Sequence, residues 1–139
     1  MNHIEMMRLA EQNAKHSDCT ECKVGAVAVL GDQGGMISAF NTAIFDGSNA
    51  NHAEYKIVTM ANLGGESLYG ATLYVTRRPC ARCTEMLLPL GLKAVYYRDA
   101  QPEMGHLQRF RAHGVEVDGG WIVGQVAESW AERNGVCGE

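Results

Sequence analysis

Residues 70–83 read Gly70-Ala71-Thr72-Leu73-Tyr74-Val75-Thr76-Arg77-Arg78-Pro79-Cys80-Ala81-Arg82-Cys83. The stretch Ala71 to Thr76 is an apolar run of strand length. Pro79 follows with a fixed φ and no donor, which suits the first position of a helix. That helix carries Cys80, Cys83, Met86, Leu87 and Leu90 at three- and four-residue steps and closes at Gly91. A strand feeding a helix through a short polar turn is a building unit of α/β sheets.

The pattern continues on both sides. Ile4 to Ala14 has loose helical spacing, and Val24 to Leu30 reads as a strand buried on both faces. Gly31-Asp32-Gln33-Gly34-Gly35 is a hairpin turn, and Met36 to Phe40 is the return strand, ending at Asn41. A polar loop, Asp46 to Asn51, leads to a helix starting near His52, which ends at the turn Asn62-Leu63-Gly64-Gly65. Downstream, the pattern gives a strand at Ala94–Tyr97, a helix at Pro102–Ala112 and a strand at Val115–Val117. A last amphipathic helix at Val123–Arg133 leaves Asn134–Glu139 as a flexible tail. The 139 residues show no repeat or linker and form one expected domain, a three-layer α/β/α sandwich with a central mixed five-stranded sheet.

The chemistry lies in two short segments, His52-Ala53-Glu54 and Pro79-Cys80-Ala81-Arg82-Cys83. Zinc accepts imidazole nitrogen and thiolate sulfur, and a catalytic zinc keeps one position for water. His52, Cys80 and Cys83 would supply three ligands. Glu54, two residues from the histidine, is badly placed as a fourth ligand and well placed to move a proton. From Glu54 to Pro79 there are 25 positions, room for a helix, a loop and a strand. Both segments open helices, where unpaired amides favour negative charge, so Cys80 and Cys83 should ionise readily. Two thiolates, a divalent cation and a neutral imidazole sum to a charge near zero. Water bound there feels a weaker field than at an all-histidine site and needs a base close by, which is Glu54. As alternative readings, the ion is structural, with Cys19, Cys22 or another histidine as fourth ligand, or Glu54 is a helix N-terminal charge only.

The H-x-E…P-C-x-x-C pattern resembles the signature of the zinc nucleobase deaminases. Val24-Gly25-Ala26-Val27, Gly70 to Thr76 followed by Pro79-Cys80, Gly91-Leu92-Lys93-Ala94-Val95-Tyr96-Tyr97 and Gly114-Val115-Glu116-Val117 are similar to strand motifs of the same superfamily. The chain thus resembles the cytidine deaminase-like superfamily from about Met7 to Val117, and within it most resembles the deoxycytidylate deaminases. tRNA adenosine deaminases and riboflavin-pathway deaminases share the strand motifs.

The resemblance implies hydrolytic deamination of a cytosine nucleotide, dCMP to dUMP plus ammonia. Zinc hydroxide would attack C4, with Glu54 as proton shuttle and one catalytic Zn²⁺. It implies a sugar or base contact for Asn41, although Ala39-Phe40-Asn41-Thr42 replaces the usual glycine-tyrosine-asparagine-glycine and a strand-end asparagine is often a turn former. Ala53, between ligand and shuttle, is grouped with the substrate contacts. Tyr55-Lys56 follows the motif glutamate where asparagine-alanine is often seen. Arg77-Arg78 stands where tRNA enzymes usually have leucine-glutamate; two cations beside the metal suit a monophosphate, or else they pair with surface acids. The short stretch from Asn41 to His52 lacks the insertion that regulated relatives use for a nucleotide effector. Tyr97-Arg98-Asp99 ends a strand at the sheet's carboxyl edge, where ligands tend to sit. Relatives often share sites across subunits, so a homo-oligomer is expected. Cytidine, guanine, a pterin-like base, a blasticidin-like antibiotic and a non-catalytic zinc module are the open alternatives.

Twelve Lys and Arg against sixteen Asp and Glu give a formal charge of −4, which argues mildly against a polynucleotide partner. No segment approaches the length of a membrane span and the N-terminus lacks a signal-peptide pattern, so the expected partners are small molecules and the expected compartment the cytoplasm. Five cysteines, two of them in the motif, suggest free thiols in a reducing compartment, with Cys19 and Cys22 as plain thiols. Some phage relatives hold a second zinc on a cysteine near Cys19, the alternative that the resemblance raises. His3, His16, His106 and His113 lack ligand spacing and read as surface residues. Trp121, Trp130, Tyr96 and Tyr97 read as core aromatics.

Overall fold

The computed structural model describes residues 3–19, 22–31, 34–43, 51–99 and 105–119. In chain order, α1 spans His3–Ala14, β1 Gly25–Val29, β2 Met36–Phe40, α2 Ala53–Leu63, β3 Thr72–Val75, α3 Ala81–Leu87, β4 Ala94–Tyr97, α4 Gln108–Ala112 and β5 Glu116–Gly119. Single 3₁₀ turns extend α3 over Leu88–Leu90 and precede α4 over Gly105–Leu107. The strands form one sheet in the order β2-β1-β3-β4-β5. β1 runs antiparallel to both β2 and β3, while β3, β4 and β5 run parallel. The expected mixed five-stranded sheet is therefore present.

Strand alternation sorts the core into two layers, because successive side chains leave opposite faces. Ala26, Ala28, Leu73, Val75, Val95, Tyr97 and Val117 point to one face, where α2 adds Ile57 and Ala61, α3 adds Leu87 and α4 adds Phe110. Val27, Tyr74, Ala94 and Tyr96 point to the other, against Met7 and Ala10 of α1. Helices thus cover both faces. Among the described residues no helix is long and apolar enough to cross a membrane.

Close approach of α1 to β1 depends on Gly25. A Cβ there would lie 2.0 Å from the Ala10 carbonyl oxygen and 2.5 Å from the Ala14 nitrogen, both backbone atoms that cannot rotate away. Gly25→Ala is expected to destabilise the fold by about 1–3 kcal/mol, as overpacking does. Urea unfolding checks this, and an unchanged midpoint would show that α1 can lift off without loss.

Several boundaries differ from the sequence expectation. Pro79 lies before α3, not inside it: Cys80 is the N-cap, with its sulfur accepting from the Cys83 amide. A thiol can cap as a short oxygen side chain does, and this moves the helix start past the proline. α3 ends at Leu87, and Pro89, which has no N–H to donate, sits in the 3₁₀ turn that runs on to Gly91 at φ +73°. The expected helix at 102–112 is a 3₁₀ turn plus the short α4, with Ala100 to Met104 outside the described residues. The helix expected at Val123–Arg133 and the tail Asn134–Glu139 also lie outside them. Cys19, Cys80 and Cys83 form no disulfide. His3 is not a plain surface residue: its Nδ1 lies 2.6 Å from the Tyr74 hydroxyl, on the α1 face of the sheet.

Candidate active site

Two helix starts converge beside the carboxyl end of β3. His52 is the N-cap of α2 and Cys80 the N-cap of α3, so both place their side chains where a first turn leaves its amides unpaired. The His52 Nδ1 lies 3.7 Å from the Cys80 sulfur and 3.4 Å from the Cys83 sulfur. All three ligand atoms fall within 4.8 Å of one another, the one such group among the described residues. Tetrahedral zinc, with bonds near 2.3 Å to sulfur and 2.0–2.1 Å to nitrogen, requires nitrogen–sulfur edges of about 3.6 Å. One imidazole and two thiols at these separations therefore fit a tetrahedral zinc with one corner left over.

In the metal-free chain the electrostatics favour a Cys80 thiolate and hold a proton on His52, which an incoming metal would displace. Cys80 is pushed down to about 3, chiefly by hydrogen bonding with Cys83 and further by His52. His52 is raised, first through its hydrogen bond with Cys80. Glu54, in the first turn of α2 and only 4% exposed, is pushed up to about 7 by burial, with the neighbouring Cys80 adding to the rise. Its interaction with its own backbone, and the positive charges of His52 and Arg77, pull the other way and lose to the desolvation.

A cavity of about 220 Å³ opens over this cluster. Ala53, Glu54, Arg77, Arg78 and Asn41 line it beside His52 and Cys80. Arg78 is buried, 7% exposed, so it is not a solvated surface cation. Cys83 lies behind, 1% exposed.

A family model described as the cytidine and deoxycytidylate deaminase zinc-binding region matches residues 1–99. The chain belongs to that family. It is 31% identical over 93 residues to the deoxycytidylate deaminase of Enterobacteria phage T4, covering 66% of this chain and 48% of that protein. The chain thus spans about half the length of that relative. It is 34% identical over 107 residues to a tRNA-specific adenosine deaminase of Agrobacterium fabrum, covering 76% of this chain and 68% of that protein. Among solved structures, the dCMP deaminase of cyanophage S-TIM5 in apo form superposes with a TM-score of 0.70 at 29% identity, over 84% of this chain and 95% of that one. The same cyanophage enzyme has been solved in complex with dCMP and dUMP, with a TM-score of 0.69.

Within this family fold, two residues read from the sequence are placed differently from the rest. Asn41 reaches the cavity, but its amide bridges the backbone: Oδ1 accepts from the Val24 amide at 2.9 Å and Nδ2 donates to the Cys22 carbonyl at 2.8 Å. Tyr97 is 3% exposed in the core, its ring against Gly119, and is absent from the cavity wall. Arg98 and Asp99, the rest of that strand end, are buried and bonded to each other. His106, read as a surface residue, is instead part of the cavity wall, with Nε2 2.9 Å from the Pro79 carbonyl oxygen. No local signal marks it. It lies 26 positions beyond Cys80 with no ligand spacing, and only the parallel crossover from β4 to β5 returns it to the start of α3.

Proposed function

We propose that the chain is a zinc-dependent aminohydrolase that converts a cytosine nucleotide, dCMP, to dUMP and ammonia. The observation that carries this reading is a buried carboxyl, pushed up to about 7, in the same cavity as the His52–Cys80–Cys83 cluster and a pair of arginines. A general base works best with a pKa near the working pH, and burial moves Glu54 of the metal-free chain toward that range. Family membership and the cyanophage enzyme's complex with dCMP and dUMP support the substrate class.

Zinc, when bound by His52, Cys80 and Cys83, would supply a Lewis acid that eases ionisation of water. The chain's own carboxylate handles the protons. Glu54 takes one proton from the attacking water as the C4–O bond forms and delivers it to N3. It then takes the remaining hydroxyl proton and gives it to the amine as the C4–N4 bond breaks, leaving a carbonyl and ammonia. The burial that raises Glu54 also limits the bulk water that can compete for these protons.

Arg77 and Arg78 offer donors suited to a phosphate monoester, while neither can accept a hydrogen bond. Arg77→Gln is expected to raise KM for dCMP about tenfold or more, the loss of one charged hydrogen bond, and to leave deoxycytidine unchanged. Equal effects on both compounds would remove the phosphate role. Similarity to the Agrobacterium enzyme supports a second reading, adenosine in tRNA. Ammonia release from zinc-loaded protein with dCMP, deoxycytidine, dCTP, cytosine, guanine, adenosine and a tRNA anticodon stem-loop separates the readings. Turnover confined to the stem-loop would replace the dCMP proposal.

A further inference from the structure

We infer that His106 is a specificity-determining residue whose Nδ1 accepts a hydrogen bond from an N–H or O–H group of the bound nucleotide, an inference that rests on the reading of this cavity as a nucleoside site. The ring is held from two sides. Leu107 and Phe110, both 0% exposed, fix the Gly105–Leu107 turn and α4 in the core, and Nε2 meets the Pro79 carbonyl at 2.9 Å. A carbonyl oxygen only accepts, so Nε2 carries the proton and Nδ1 is left with a lone pair. Among the described residues Nδ1 has no hydrogen-bond partner.

The remaining polar groups of the wall have other duties. Arg77 and Arg78 are donors only, His52 and Cys80 belong to the metal cluster, and the Asn41 amide is held by the backbone at Cys22 and Val24. Glu54 carries the protons. Among the described residues the side-chain acceptor left for recognition is Nδ1 of His106, anchored one residue before the ligand Cys80. Two groups of a cytosine nucleotide can donate to it, the exocyclic amine and the sugar 3′-hydroxyl.

The test compares His106→Leu, which removes both ring nitrogens, with His106→Gln, which keeps a donor for Pro79 and an acceptor for the ligand. In zinc-loaded protein, His106→Leu is expected to raise KM for dCMP about tenfold, as loss of one hydrogen bond in a dry site does, with zinc still one per chain. His106→Gln should recover most of the loss. With 2′,3′-dideoxycytidine monophosphate, a penalty that persists assigns the amine and one that vanishes assigns the hydroxyl. Calorimetric binding of dCMP in a Glu54→Gln background should weaken by the same factor. An unchanged KM in His106→Leu overturns the inference while leaving the deaminase reading intact. Loss of zinc with an unchanged KM for the loaded fraction also overturns it, because His106 would then only brace Pro79. Wild-type protein that neither binds nor converts any cytosine compound overturns both.

Discussion

Glu54→Gln is expected to abolish turnover, lowering kcat on the order of 10⁴-fold, while the protein stays folded with one zinc per chain. The amide is close in size to the carboxyl but cannot take a proton from water. His52, Cys80 and Cys83 are untouched by the change, so metal content should match the wild type. Residual activity within tenfold of the wild type would move the shuttle role to another group. The same substitution has a second expected effect, in metal-free protein. Burial raises Glu54 from 4.5 to about 7, so in that interval the folded chain holds a proton that the unfolded chain has released. Stability tied to this group is therefore lost as pH rises from about 4.5 to about 7. Glu54→Gln has no such loss, so its stability relative to wild type should improve by about 2–3 kcal/mol between pH 5 and pH 8. Urea unfolding in the presence of a chelator measures it. A difference that does not change with pH would mean that the carboxyl is solvated in the metal-free protein. Zinc restores a cation beside the carboxylate, so the effect should shrink on loading.

Arg98→Met is expected to destabilise the fold by about 3–5 kcal/mol, the usual loss when one member of a buried ion group is removed. Arg98 is 0% exposed at the end of β4. Its Nε and Nη2 donate to the Asp99 Oδ1 at 2.8 and 2.5 Å, and Nη1 lies 3.5 Å from the Glu11 Oε2 of α1. Among the described residues the buried Asp99 Oδ2 has no hydrogen-bond partner, and burial pushes Asp99 upward despite the adjacent guanidinium. Without Arg98, the buried carboxyls of Asp99 and Glu11 lose the guanidinium that bonds both. Adding Glu11→Gln and Asp99→Asn to Arg98→Met should recover part of the loss, because neutral groups need no counter-charge. A single variant that loses less than about 1 kcal/mol in urea would show that water reaches this cluster.

The strand motifs were legible because burial on both faces writes continuous apolar runs, as in Val24–Leu30 and Ala71–Thr76. The second strand, with exposed Met36 and Ser38, was legible from its hairpin glycines. The start of α3 was misplaced because Pro79 satisfies the rule for a first helical residue equally well one position before a cap. Sulfur capping by Cys80 decided it, and that depends on where the thiol points. His3 escapes the sequence reading because its partner, Tyr74, lies 71 positions away.

The sequence by itself determined the ligand set and the proton carrier as candidates, since His52-x-Glu54 and Cys80-x-x-Cys83 put the needed atoms within one helical turn of each other. It also determined the five strands and, apart from their ends, the helices α1, α2 and α3, whose periodicity is local. Only the tertiary structure decided which other polar groups share the cavity and which are locked away. His106 and Pro79 are neighbours, and Arg98 meets Glu11 across 87 positions, because the order β2-β1-β3-β4-β5 carries those loops and helix ends together. Burial and hydrogen bonding then set what each can do: the raised carboxyl of Glu54, the committed amide of Asn41 and the open lone pair of His106 are properties of surroundings, which no spacing along the chain encodes.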